Sequence, residues 1–396
     1  MLRLLTSSLL LLLAAPACLC GDARVRPVLE RCDAQPELCV DAGTPPAEPD
    51  AGLCGDEGSV TGRICAPDQQ TWVNGARVFI DGTDCNGQAQ HLEASSAADG
   101  TFSLANVPPG DWTVKAVLGA FTQETPVTVR ARAATAIPDN QLCVAQKAVR
   151  IAVVTGSGDK IEDLLTTLRL QFTLFGGDSS TWTTQAEPFL SDLARLKQYD
   201  LVFVDCAAAK ASGTLINLGP NTTLIEQNLR AYVQQGGSVY SSDWALLFTL
   251  AAAPSAFSYA TLGGSVSATP FDAKVLRGYA PQTVNARVTD PGLAAFLGKA
   301  TVNIAFPKQS GANSLHWGLM SGTTGDVLVS ADGVVTCGDA TCSTAGAMRS
   351  NVPLAVRVRA GAAGQRGGNV VYTSFHNVAQ SGPDVAQVLK YLVLNL

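Results

Sequence analysis

The sequence predicts a multidomain chain: a small all-β sandwich followed by a three-layer α/β domain with a mostly parallel sheet. Three observations carry that expectation. From Gly58 to about Ala145, short runs of alternating apolar and polar residues are separated by strong turn formers, the pattern of half-buried strands. From Val149 onward, apolar strands alternate with amphipathic helices, which implies parallel strands joined by crossovers. Between Gln234 and Phe248, the run QQGGSVYSSDWALLF joins a helix stop, a strand, a tight turn and a second helix, the unit that raises a side chain at the rim of a parallel sheet.

The first 18 residues, MLRLLTSSLLLLLAAPAC, place one cation before a Leu-rich run and then small residues before a cysteine. The run is too short for a permanent span and reads as a secretory signal. Ala15-Pro16-Ala17-Cys18 resembles the bacterial lipobox, in which Cys18 is lipidated and becomes the first mature residue; Ala-Pro-Ala also fits ordinary signal-peptidase cleavage. The lipid would tie the chain to a membrane. Leu19, in place of an Asp after Cys18, directs the expectation to the outer membrane or to secretion from the cell envelope. Residues 19–57 are rich in Asp, Pro, Ala, Gly and Cys and poor in aromatics, so they are expected to form a disordered tether.

Eleven cysteines are an odd number, and assigning Cys18 to a lipid leaves ten for an oxidising compartment. Cys32 with Cys39 and Cys337 with Cys342 each close a small loop. Cys54, Cys65, Cys85 and Cys143 bracket one segment with three connectivities open. Cys20 and Cys206 are left over, and Cys206, ending a buried strand, is expected to be a free thiol. No cysteine pair has zinc-knuckle spacing and no His lies beside one in sequence, so neither a metal nor a cofactor is expected. The net charge of −6, with both signs mixed, offers no basic stripe for phosphates and excludes nucleic acid as a partner.

In the segment 58–146, strands are expected at Val60–Cys65, Ala76–Ile80, Phe102–Leu104, Trp112–Val117 and Thr125–Val129, with turns at Asn74-Gly75, Asp99-Gly100 and Pro108 to Asp111. His91 falls on a loop in this reading. GSVTGRI, NGARVFI and ADGTFSLANVPPGDWTVKA together resemble the carboxypeptidase regulatory-like domain, a transthyretin-like, Ig-like sandwich. The resemblance covers about 90 residues and implies a recognition or structural module, with carbohydrate binding or envelope proteins as its partners.

In the segment 147–396, strands are expected at Arg150–Thr155 and Asp200–Asp205, with helices burying Ile161, Leu164, Leu165 and Leu168, and then Ile225, Leu229, Tyr232 and Val233 behind a Thr223/Glu226 capping box. Residues 255–368 read as an antiparallel insertion, with runs at Val284–Val288, Ala300–Phe306, Asp326–Ser330 and Leu354–Val358. A strand from Gly367 to Asn377 and a helix capped by Ser381 and Asp384 complete the domain. DLVFVD, the Gly-Gly stop before SVYSSDW, and GGNVVYTSFHN ending in His376 resemble the class I glutamine amidotransferase-like fold, in its trehalose-utilisation-type branch, which implies a flavodoxin-like sheet.

Ligands of such sheets collect outside the strands' carboxyl ends. Those ends are Thr155 to Asp159, Asp205 with Cys206, Ser241 to Trp244, and Ser374 to Asn377. A binding cleft lined by Asp205, Ser242, Asp243, Trp244 and His376 follows. The family's nucleophilic Cys in a G-x-C-x-G elbow is missing, since Ser242 and Asp243 occupy the turn, and Asn377-Val378 follows His376 where the acid is needed. The resemblance therefore implies a degenerate, non-catalytic domain in a surface lipoprotein that binds or assembles. The alternative is a secreted hydrolase with Ser242 or Cys206 as nucleophile, His376 as base and Asp205 as orienter. Gly156-Ser157-Gly158 lacks the rest of any phosphate-binding fingerprint. Trp182, Trp244 and Trp317 can stack sugars only if they are exposed.

Overall fold

The structure, a computed structural model, describes residues 56–396 apart from 148, 207, 209, 213–214, 218–220, 262–263, 266–275, 308–315, 340–341, 362–366, 379 and 381. The leader with Cys18, nearly all of the tether, and Cys20, Cys32, Cys39, Cys54 and Ser381 lie outside the described residues. The described chain belongs to one compact unit, Gly52–Leu396. It is rich in β-structure, with several sheets and few helices.

Seven strands come first: β1 (Gly58–Arg63), β2 (Arg77–Thr83), β3 (Ala89–Ser95), β4 (Thr101–Val107), β5 (Gly110–Leu118), β6 (Phe121–Val129) and β7 (Ala134–Ala136). They make a three-stranded sheet, β4-β1-β7, and a four-stranded sheet, β3-β2-β5-β6. Alternation explains which face is inward: Phe102 and Leu104 on β4, and Trp112, Val114 and Ala116 on β5, are buried while their neighbours face out or are partly covered. The Cys65–Cys143 disulfide closes the segment. Cys85 is also disulfide-bonded. His91 does not lie on a loop: it sits on β3, where its Nδ1 meets Asp81 at 2.5 Å across the β2–β3 pair. The strand escaped the sequence reading because AQHLEAS alternates only between exposed and half-buried positions.

The remaining strands are β8 (Ile151–Thr155), β9 (Phe172–Gly176), β10 (Leu201–Val204), β11 (Lys210–Ser212), β12 (Leu215–Asn217), β13 (Ser238–Ser242), β14 (Phe257–Ser258), β15 (Ala260–Thr261), β16 (Gly264–Ser265), β17 (Leu276–Tyr279), β18 (Gln282–Val288), β19 (Thr301–Phe306), β20 (His316–Leu319), β21 (Gly322–Thr323), β22 (Asp326–Ala331), β23 (Val334–Cys337), β24 (Ala345–Arg349), β25 (Val352–Arg359) and β26 (Asn369–Thr373). The main sheet has nine strands in the order β19-β18-β22-β25-β26-β13-β10-β8-β9. From β9 to β26 the neighbours run parallel, and from β26 to β19 they run antiparallel. The expectation of a mostly parallel sheet is thus corrected to an evenly mixed one.

The antiparallel runs expected in 255–368 are present. Runs β18, β19, β22 and β25 extend the same sheet, while β20-β17-β23-β24 form a second layer holding the Cys337–Cys342 disulfide. Strands β8, β10 and β13 are buried along almost their whole length, as strands covered on both faces must be.

Helix boundaries differ from the expectation in two places. The helix Thr222–Gln234 begins two residues early, at N-cap Asn221, which puts Thr223 inside the first turn instead of at the cap. The helix Pro383–Leu394 starts behind Gly382, and Asp384 turns its carboxylate to Lys299 and to the Asn303 N–H instead of capping. The sandwich and the main sheet share one hydrophobic core running from Val60 to Leu396. Polar ties cross the same boundary: Asn74 donates to Gly292 O at 2.8 Å, and Lys390 donates to Thr71 at 2.9 Å. Trp182 and Trp317 are buried, which removes them as sugar platforms; Trp317 stacks on Phe306 at 3.8 Å.

Candidate functional site

The carboxyl ends of β8, β10, β13 and β26 bring six polar side chains together. Asp205 and Cys206 follow β10, Ser242 ends β13, Asp243 opens the turn after it, and His376 lies three residues beyond β26. The sixth is Asp159, from the loop after β8. Its neighbours Gly156 and Gly158 are glycine for a packing reason, since a Cβ on Gly156 would lie 2.0 Å from Cys206 O and one on Gly158 2.9 Å from Cys206 Sγ. That loop therefore presses against β10, and the Gly158 N–H donates to Cys206 O at 3.2 Å.

Asp243 sits at the elbow with φ +43°, a left-handed conformation that costs a non-glycine residue about 1 kcal/mol or more. That conformation aims its carboxylate inward rather than at the following helix, whose start carries no side-chain cap. Oδ1 accepts the Gly318 N–H at 2.6 Å, and Oδ2 lies 3.5 Å from Cys206 Sγ and 3.6 Å from His376 Nε2. The other ring nitrogen, Nδ1, lies 3.8 Å from Asp159 Oδ1. Asp159 is itself fixed by the Ser242 hydroxyl at 2.6 Å and by the Lys160 and Asn377 N–H groups at 2.8 and 3.3 Å. Ser242 Oγ in turn accepts the Cys206 N–H at 3.1 Å.

Two sequence expectations change. Asp205 does not orient His376: it lies against Glu162 and Asp159, and Asp159 stands beside the ring. The residues line no open cleft, because Asp159, Asp205, Cys206, Ser242, Asp243 and His376 are each at most 4% exposed, while Trp244 is half-buried. The Ser242 hydroxyl donates its hydrogen bond to Asp159, not to His376. Asp159 was missed as a partner because an Asp just before a helix reads as ordinary turn chemistry. Two cavities, of about 470 and 500 Å³, lie at the opposite, amino end of the strands, around Gly236, Gly367 and Asn369.

Electrostatics follow from burial. Desolvation, reinforced by Asp243 and Asp159, pushes the Cys206 thiol well above its ordinary value, so it is a neutral donor to Asp243. Burial, with Asp159 and Glu162 nearby, pushes the Asp205 carboxyl well up. Burial also raises Asp159, against the pull of His376 and its hydrogen bonds. His376 is the reverse: desolvation pulls it down, but the Asp243 hydrogen bond and the charges of Asp159 and Asp243 outweigh this and raise it. Cys206 Sγ, an Asp243 oxygen and a His376 ring nitrogen all lie within 4.8 Å of one another.

No known protein family and no characterised protein matches the chain. Among solved structures, PurLQS from Thermotoga maritima aligns with 62% of this chain and 97% of its own, at 11% identity and a TM-score of 0.33. A type II cohesin–X-dockerin complex from Acetivibrio cellulolyticus aligns over 27% of this chain and 70% of its own, at 21% identity and a TM-score of 0.18. The Bacillus anthracis TIE protein aligns over 22% of this chain, at 15% identity and a TM-score of 0.18, and the chain spans 16% of that protein's length. Likenesses this weak carry no argument about function. Among the described residues, no helix is long and apolar enough to cross a membrane. The two disulfides Cys65–Cys143 and Cys337–Cys342 are those of a chain that folds in an oxidising compartment.

Proposed function

We propose that the protein is a non-catalytic cell-envelope lipoprotein acting in binding or assembly at the bacterial surface, through a β-sandwich module and a degenerate amidotransferase-like domain. The observation that carries the reading is the commitment of His376. Its ring nitrogens face two carboxylates, Asp159 and Asp243, and the hydroxyl of Ser242 is spent on Asp159. A general base must reach the proton that it removes. Here the thiol points at Asp243 and is held neutral by burial. The parallel order β9-β8-β10-β13-β26 supports a flavodoxin-like half-sheet. The Met1–Cys18 leader supports a lipid anchor, and Leu19 an outer-membrane address.

One observation favours the hydrolase reading: Cys206 and His376 stand within 4.8 Å beside a strained elbow. Treating the native protein with thiol-directed and serine-directed probes separates the two. The non-catalytic reading expects no label on Cys206 or Ser242 at neutral pH; label on either, abolished by His376→Ala, would favour the hydrolase. The anchor is tested in cells by metabolic labelling with an alkyne fatty acid, whose incorporation should vanish in Cys18→Ser.

A further inference from the structure

We infer that Cys206 Sγ, Asp243 Oδ2 and His376 Nε2 form a buried site for one divalent, zinc-class cation. The inference does not depend on the envelope reading. The ligand types decide the ion: thiolate and imidazole favour zinc and its neighbours, whereas magnesium and calcium take oxygen ligands. Two of the three edges fit too, and the third, Sγ to Nε2, is within 4.8 Å. Bonds of about 2.0 Å to N and O and about 2.3 Å to S put tetrahedral neighbours about 3.3 Å (N···O) and about 3.5 Å (S···O) apart. Here Sγ lies 3.5 Å and Nε2 lies 3.6 Å from the same Asp243 oxygen. A cation drawn into the triangle needs shifts of only a few tenths of an ångström along these two edges.

The surroundings have the form of an outer ligand sphere. A metal-bound His usually faces a carboxylate through its other nitrogen, which fixes the ring and leaves the ligating nitrogen free. Nδ1 faces Asp159, and Asp159 is anchored by Ser242, Lys160 N and Asn377 N. The Gly318 N–H holds the second oxygen of Asp243. Charge balances: a thiolate, a carboxylate and a divalent cation sum to zero with a neutral imidazole. Binding releases the thiol proton, and the Nε2 proton where present, to solvent. Sequence spacing hid the site because its ligands come from three separate strand ends, at 206, 243 and 376.

The test uses the full chain, stripped with chelator and titrated with zinc and then with cobalt(II). The expected result is one ion per chain and a thiolate-to-cobalt absorption band that disappears in Cys206→Ala. Asp159→Asn should keep the band and weaken affinity about 10–100-fold. His91→Ala, altering an exposed histidine with acidic neighbours, should change nothing. Failure of the wild-type chain to bind either ion, or a band that survives Cys206→Ala, overturns the site. If Cys206→Ala does not fold, the wild-type band and the Asp159→Asn titration decide, and absence of the band overturns it.

Discussion

Asp205 is fully buried, with the carboxylates of Asp159 and Glu162 nearby. Ionising a buried carboxyl beside two other carboxylates is expensive in the folded chain. The folded value is raised above the unfolded one, near 3.9. The cost is therefore absent below about pH 4, grows as pH rises above that, and is complete above the folded value. Asp205→Asn supplies a donor to Glu162 without a proton to hold. It should stabilise the protein by about 1–2 kcal/mol at pH 8, with the gain vanishing toward pH 4, as read from thermal unfolding across pH. His376 tilts the balance the same way: its raised value gives stability that is present below about pH 6.5 and lost as pH climbs through the folded value. Strand ends read from the sequence did name Asp205, Cys206, Ser242, Asp243 and His376. Their pairing was not legible, because which carboxylate reaches which ring nitrogen depends on turn geometry such as the positive φ of Asp243.

Two glycine pairs singled out in the sequence pack on each other at the level of elements. Gly236, at φ +104°, stops the helix Thr222–Gln234, and the Gly368 N–H donates to Val233 O in that helix's last turn at 2.9 Å. A Cβ on Gly368 would stand 1.8 Å from Gly237 O, a backbone atom with no rotamer to yield. Gly368→Ala should therefore destabilise by about 1–3 kcal/mol or more, measured by urea unfolding, by forcing β26 off the helix end. Elements with strong local patterns, such as β10, β13 and the inward face of Thr222–Gln234, were readable from sequence. By contrast β9 escaped, since as an edge strand it fully buries only Phe175. The four antiparallel strands were seen but assigned to an insertion, because partner choice is long-range and leaves no mark on local periodicity.

Across the whole molecule, the sandwich and the main sheet share one core, so the boundary near residue 146 marks a change of pattern and not of packing. Near-ultraviolet and far-ultraviolet signals should accordingly report one coincident unfolding transition for Gly52–Leu396; two separated transitions would show that the shared core does not couple them. Removing the Cys65–Cys143 bridge, which spans 78 residues, frees a long loop in the unfolded chain. Cys65→Ser with Cys143→Ser should cost about 4 kcal/mol in denaturant unfolding. Strand β26 joins the two halves of the main sheet, pairing with nearby β25 on one edge and with β13 on the other, where Ser238 Oγ meets Asn369 N across 131 residues. Closing so long a loop is a late, non-local step. Until it happens His376 has no place beside Asp243, and the thiol of Cys206 lacks its cover while the chain's other cysteines are being oxidised. A chain in which β26 arrives late is therefore the one expected to lose Cys206 to a wrong disulfide, as thiol counting during refolding would read.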